Sequence, residues 1–124
     1  MFNWWRKAKK DAAAVRLEVY DHLRALLSQV TYELIRRHNI TEQHPDTKDM
    51  MARTAPIIFG FEMVREGGHP SEIRDIESLT HAAAKVAHDA VNEAILKRRI
   101  DNEVLIGKLR RLSGYSVDGS RRQD

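Results

Sequence analysis

The side chains that could do chemistry in this sequence are its six histidines and the carboxylates near them. A glutamate precedes a histidine by four residues at two places, and a further histidine follows the second pair seven residues later. These residues are Glu18, His22, Glu77, His81 and His88. Imidazole and carboxylate groups suit iron, zinc or manganese, and two antiparallel helices could bring such groups together. The spacing is also common by chance, and His81 and His88 lie at the flank of an apolar face. We therefore expect no metal site and no cofactor.

Catalytic motifs are missing from the sequence. There is no GxxxxGK[ST] loop for phosphates, no GxGxxG turn and no HExxH zinc motif. The run Gly114-Tyr115-Ser116-Val117-Asp118 comes nearest to a nucleophile elbow, but Asp118 stands where the second glycine belongs. We expect a protein that is not an enzyme.

Basic residues concentrate at the two ends of the chain. Residues 1–10 and residues 97–124 each carry a net charge of +4, while the middle is mildly acidic. The candidate contacts to an anionic partner are Trp4, Trp5, Arg6, Lys7, Lys9, Lys10, Arg110 and Arg111. Aromatic and basic side chains together bind nucleic acid or an anionic membrane surface. Alternatively, the two indole rings fold back onto the core while the lysines face water.

Cellular location follows from what the sequence lacks. No apolar run approaches the roughly 20 residues of a membrane-spanning helix, and the first residues lack the apolar stretch of a signal peptide. The chain has no cysteine, which is compatible with a reducing compartment. We expect a cytoplasmic protein without a transmembrane segment.

The elements that position these residues are helices, because apolar residues recur at helical spacing. Residues 11–38 carry one apolar face, formed by Val15, Val19, Leu23, Leu26, Val30 and Leu34. Residues 47–66 are apolar nearly all round, which predicts a central helix, kinked or restarted at Pro56 and ended by Gly67-Gly68. Gly60 predicts a close approach to an alanine-rich helix.

That alanine-rich surface belongs to residues 71–112. Its apolar stripe is interrupted at Lys97, Arg98 and Asp101 and resumes in phase at Val104. Two interpretations fit. Either one long helix continues to the end of the stripe, or a first helix stops near Ile100 and a second begins with Asp101 as its N-cap.

The predicted fold is all-α, a helical bundle of three to four helices with a long C-terminal helix. We divide the chain into a basic aromatic N-terminal segment, residues 1–10, a single helical domain, residues 11–113, and a flexible basic tail, residues 114–124.

The predicted function depends on the apolar patch of Val104, Leu105, Leu109 and Leu112, which extends beyond the other predicted helices. Because two-fold dimers are the commonest oligomers, a second copy is the expected cover, although the N-terminal tryptophan segment could serve instead. We expect a non-enzymatic interaction or regulatory module that acts as a homodimer. The alternative is a nucleic-acid-binding accessory protein that uses the basic terminal segments, and a third, weaker hypothesis is a helical metalloprotein.

Overall fold

Four α-helices make up most of the chain in a computed structural model, which describes residues 11–72 and 77–121. They are α1 (Ala12–Arg37), α2 (Pro45–Arg65), α3 (Ser78–Lys97) and α4 (Asn102–Leu112), with one 3-10 turn at Pro70–Glu72. Within the described ranges there is no strand, only an isolated bridge between Tyr115 and Arg121. The predicted all-α bundle is confirmed. The predicted long C-terminal helix is wrong, because α4 has only 11 residues.

Helix α1 begins where Asp11 caps it, since the Asp11 carboxylate accepts a hydrogen bond of 2.8 Å from the Ala14 amide. The predicted apolar face is buried along the whole helix: Val15, Val19, Leu23, Leu26, Val30 and Leu34. The helix ends at Arg37 with His38 as its C-cap, and Asn39 takes a positive φ of 51° that turns the chain away.

Helix α2 begins at Pro45, with His44 as its N-cap. The His44 Nδ1 atom accepts a hydrogen bond of 3.0 Å from the Asp46 amide. The helix runs through Pro56 without a break, so the restart considered there does not occur. Gly67, with φ at 94°, terminates it as predicted.

The contact between α2 and α3 is made by small residues. A Cβ atom added to Gly60 would stand 2.5 Å from the Thr80 carbonyl oxygen and 2.8 Å from the Ala83 Cβ atom. The face of α3 that receives α2 and α1 is largely alanine: besides Thr80 and Val91, its buried members are Ala83, Ala84, Ala87, Ala90 and Ala94. The predicted close approach at Gly60 is confirmed, because only a glycine leaves room for this backbone separation.

The break between α3 and α4 follows the second of the two interpretations. Arg98 ends α3 in the left-handed conformation, with φ at 54°. Asp101 then caps α4, accepting hydrogen bonds of 3.1 Å from the Glu103 amide and 3.2 Å from the Val104 amide. This turn sends α4 back along α1, where His22 and Asn102 form a hydrogen bond of 2.7 Å.

Residues 114–121 belong to the folded domain, so the boundary predicted at residue 114 is wrong. The Tyr115 side chain is only 3% exposed, its hydroxyl donates a hydrogen bond of 3.0 Å to Asp46, and its ring stacks on His38 with 4.9 Å between centroids. Arg121 forms an ion pair of 2.9 Å with the same Asp46. An aromatic ring with apolar and polar partners holds this Gly- and Ser-rich segment against α1 and α2.

Candidate interaction surface

The C-terminal apolar patch is covered by its own chain. Leu105, Leu109 and Leu112 are 5%, 0% and 7% exposed and belong to the common core, whereas Val104 is 50% exposed. The turn at Arg98 is the physical reason, because it lays α4 against α1. The prediction that those three leucines need a second copy for cover is wrong. Self-association itself stays a prediction and requires a different surface.

Exposed apolar side chains occur on every helix, among them Tyr32 on α1, Leu96 on α3 and Val104 on α4, and α2 carries two of them on one side. Met51 is 71% exposed, Phe59 is 54% exposed, and Ala55 between them is also exposed. We call these three residues the α2 face. Helix α2 is apolar on nearly every side, yet the described helices cover only part of it, so the expectation of a fully central helix is wrong.

The rotation of α2 about its axis decides which residues face outward. Its inward side holds Ile57, Phe61 and Val64 together with Gly60 against α3. At about 100° per residue, Ala55 lies almost opposite the centre of that buried side. The α2 face is therefore the outer side of the helix, and its exposure follows from the contact at Gly60.

The stretch of α2 around Ala55 and Phe59 carries no charge, since no charged residue occurs between Arg53 and Glu62. Met51 lies just before this stretch, between Asp49 and Arg53. A groove of about 350 Å³ between α1 and α2 adjoins the stretch, lined in part by Tyr32, Ile35 and Ile58. Exposed methionine and aromatic side chains with few charges among them are typical of the centres of protein interfaces.

Two opposite charges lie at the two ends of the α2 face. Glu62 is held in place because its Oε1 atom accepts a hydrogen bond of 3.2 Å from the Tyr20 hydroxyl. Tyr20 in turn accepts a hydrogen bond of 2.8 Å from Arg24, and the Arg65 guanidinium lies 4.7 Å from its ring centroid. Lys48, at the other end, is exposed and has no ion pair within residues 11–72 and 77–121.

The predicted contacts to an anionic partner are only partly placed by the structure. Trp4, Trp5, Arg6, Lys7, Lys9 and Lys10 lie outside the described residues. Arg110 is engaged within the fold, since it donates hydrogen bonds of 2.7 Å to Glu33 and 2.9 Å to the Val117 carbonyl. Its role there is to join α4 to α1. Arg111 is exposed and available to a partner.

Arg111 lines a cleft of about 860 Å³ between α2, α3 and α4. Lys85 and Lys108 line the same cleft, and so do Glu77 and Asp89. The cleft floor is apolar, with Leu79 and Leu112 among its residues. The cleft therefore combines an apolar floor with charges of both signs.

The five metal candidates are not brought together. No group of three potential ligands that could hold a metal ion occurs within the described part of the chain, where Glu18, His22, Glu77, His81 and His88 all lie. His22 bonds to Asn102. His88 lies 3.1 Å from the Asn92 amide nitrogen and packs edge-on against the His69 ring at 4.4 Å. These contacts fit structural histidines.

Sequence reasoning missed the α2 face although the signal was present. A helix that is apolar on every side needs cover on every side. One bundle of four helices, the last of them short, leaves one side of α2 without a neighbour in the described structure. The even spacing of Met51, Ala55 and Phe59, four residues apart, marks that side.

None of the described helices is long and apolar enough to span a membrane. Comparison of the chain with protein-family models, with curated proteins and with solved structures gave no match.

Proposed function

We propose that this protein is a non-enzymatic helical interaction module that acts as a homo-oligomer, and that the α2 face is its contact surface. The observation that carries the proposal is the exposure of Met51 and Phe59, 71% and 54%, on one side of a well-formed helix. Neither side chain is required by the core, whose members on α2 lie on the opposite side.

The free energy available from this surface fits a reversible contact. Complete burial of a methionine or phenylalanine side chain contributes roughly 1.5–3 kcal/mol. The gain at each residue is smaller here because both are already partly buried. Association also costs translational and rotational entropy, and an interface centred on one helix is small. We therefore expect chains that exchange between monomer and dimer over micromolar concentrations.

Sedimentation velocity across a concentration series tests the proposal. The wild type is expected to shift from the mass of one chain to that of two, and Phe59→Asp is expected to remain monomeric because the carboxylate would lose water on burial. Val104→Asp is the matched control, since Val104 on α4 is similarly exposed, at 50%. A wild type that stays monomeric at every concentration would refute the proposal. A dimer that Val104→Asp dissociates and Phe59→Asp does not would refute the α2 face.

A second candidate function, nucleic-acid binding as an accessory protein, is supported by three of the four cations that line the cleft, the fourth being Arg53, which pairs with Asp49. Lys85, Lys108 and Arg111 have no ion pair among the described residues. If they contact phosphates, the affinity for a fluorescent oligonucleotide falls steeply with salt, and each lost contact lowers the slope of log K against log salt by about 1. Lys108→Ala and Arg111→Ala are compared with Arg99→Ala, which is exposed outside the cleft. Binding that does not depend on salt would exclude this function.

A further inference from the structure

We infer that α2 packs antiparallel against α2 of a second copy, about a two-fold axis that passes close to Ala55. This inference rests on the proposed function, because it specifies the partner and the arrangement for the same α2 face. The order of residues along the exposed side of α2 and the charges at its ends both support this arrangement.

On the exposed side of α2, residues lie at the same distances from Ala55 toward both ends of the helix. Met51 and Phe59 lie four residues on either side, and Lys48 and Glu62 lie seven residues on either side. At about 100° per residue, all five residues fall within an arc of about 80°. A two-fold axis at Ala55 therefore brings Met51 of one copy opposite Phe59 of the other, and Lys48 of one copy opposite Glu62 of the other.

The centre of this arrangement suits close packing. Ala55 presents only a methyl group, so the two helices approach closely where they cross. Met51 of each copy then meets Phe59 of the other, and thioether sulfur makes favourable contacts with aromatic rings. Each copy contributes the same patch, as a closed two-fold interface requires.

The charges at the ends select the direction of the two helices. In the antiparallel arrangement Lys48 of each copy lies near Glu62 of the other, whereas a parallel arrangement would place Lys48 beside Lys48. An exposed ion pair contributes little to affinity, but like charges in contact oppose the wrong orientation. Glu62 is suited to this role because its hydrogen bond with Tyr20 fixes one of its two oxygens.

A different protein or a lipid surface explains the pattern less well. Either partner could cover Met51 and Phe59, but neither requires matched residues at equal distances on both sides of Ala55. Only a second copy makes the two halves of the surface complementary to each other, and for this reason we assign the site to self-association.

Cysteine cross-linking tests the arrangement without interference, because the chain has no cysteine of its own. Ala55→Cys places the only thiol at the axis, within the Cα separation of up to about 6.8 Å that a disulfide tolerates. Lys48→Cys is the matched control on the same exposed side. Its thiol and that of the second copy would be separated by about 20 Å, from a rise of about 1.5 Å per residue. Under mild oxidation we expect a covalent dimer from Ala55→Cys and very little from Lys48→Cys.

The outcomes separate this inference from the proposed function. If the wild type never dimerises, the proposed function fails and the arrangement fails with it. If the wild type dimerises and Phe59→Asp dissociates it, but Lys48→Cys cross-links as readily as Ala55→Cys, the α2 face survives and the antiparallel arrangement is overturned.

A mixing experiment with charge-reversed variants gives an independent test. Lys48→Glu alone places two carboxylates together at each end of the interface, and Glu62→Lys alone places two ammonium groups together there. Each variant should therefore self-associate about tenfold more weakly than the wild type. In the antiparallel heterodimer of the two variants, one end keeps the wild-type pair and the other end carries the same pair reversed. The mixture should then associate with nearly wild-type affinity, and a mixture that associates no better than either variant alone would overturn the antiparallel arrangement. A parallel heterodimer would also pair opposite charges, so the single variants distinguish the two directions: in a parallel dimer each would only exchange one like-charge contact for another and would associate no more weakly than the wild type.

Discussion

Gly60 of α2 lies so close to Ala83 of α3 that a Cβ atom on the glycine would stand 2.8 Å from the alanine Cβ. This contact does more than bring two helices together. It fixes the rotation of α2, and because α2 is apolar on nearly every side, that rotation decides which apolar residues are buried and which are exposed. The α2 face is exposed because Gly60 faces inward.

The two buried helical glycines should differ in their tolerance of a methyl group. At Gly60 the added atom meets the Thr80 carbonyl oxygen at 2.5 Å, which is backbone, whereas at Gly107 it meets a Val117 methyl group at 2.8 Å. Val117 is 53% exposed and able to move. We expect Gly60→Ala to lower the free energy of unfolding by about 1–3 kcal/mol, and Gly107→Ala to be nearly neutral. Urea denaturation measures both, and equal effects would contradict this account of the α2–α3 contact.

Arg110 and Arg111 are neighbours in sequence with different expected roles. Arg110 donates hydrogen bonds to Glu33 and to the Val117 carbonyl, while Arg111 is exposed. Arg110→Gln should cost about 1–3 kcal/mol of stability, because charged hydrogen bonds are lost and Glu33 loses its closest cation. Arg111→Gln should change stability by less than about 0.5 kcal/mol. Thermal unfolding of the two variants makes the comparison. A larger loss from Arg111→Gln would be inconsistent with Arg110 joining α4 to α1.

Tyr115 should make the fold sensitive to high pH. Burial and the hydrogen bond to Asp46 raise the pKa of its hydroxyl from 10.0 to about 12. The unfolded chain then ionises at a lower pH than the folded one. The stability contributed by the neutral hydroxyl is complete below pH 10 and is lost as the pH rises through the folded pKa of about 12. In Tyr115→Phe the decline in unfolding free energy above pH 10 should be shallower. An equally steep decline in the variant would assign the alkaline loss to other groups.

The break between α3 and α4 requires a left-handed residue, and the chain uses Arg98 there, with φ at 54°. Glycine takes this conformation without the steric cost of a Cβ atom, so Arg98→Gly should stabilise the protein by a few tenths to about 1 kcal/mol. Lys97→Gly is the control, because Lys97 is the last residue of α3 and a helical glycine is unfavourable by up to about 1 kcal/mol. Destabilisation by Arg98→Gly would contradict the left-handed conformation.

Local pattern predicts a good part of this fold. The buried face of α1 follows directly from the spacing of its valines and leucines, and the role of Gly60 follows from a lone glycine in an apolar helix opposite alanines. The end of α2 at Gly67 likewise follows from a local signal, the glycine itself. In each case the deciding residues lie within a few turns of one another in the sequence.

The predictions that were wrong concern contacts between residues that are far apart in the chain. Nothing near Leu109 indicates that α4 folds back on α1, because the direction depends on one left-handed residue, Arg98. Tyr115 sits among glycine and serine, and its burial requires His38 and Asp46, about 70–80 residues earlier. The interaction surface was predicted at the C-terminal leucines for the same reason. Helices distant in sequence bury these leucines, whereas one side of α2 stays exposed.

Isotope-filtered NMR on a mixed sample tests the central claim most directly. One chain carries ¹³C-labelled methionine methyl groups in a deuterated background, and the other carries protonated phenylalanine in a deuterated background, so every nuclear Overhauser effect between them is intermolecular. The account predicts a cross peak between the Met51 methyl group and the Phe59 ring, assigned by its loss in Met51→Leu and Phe59→Leu. A concentrated sample in which the Met51 methyl group shows no intermolecular cross peak would contradict it.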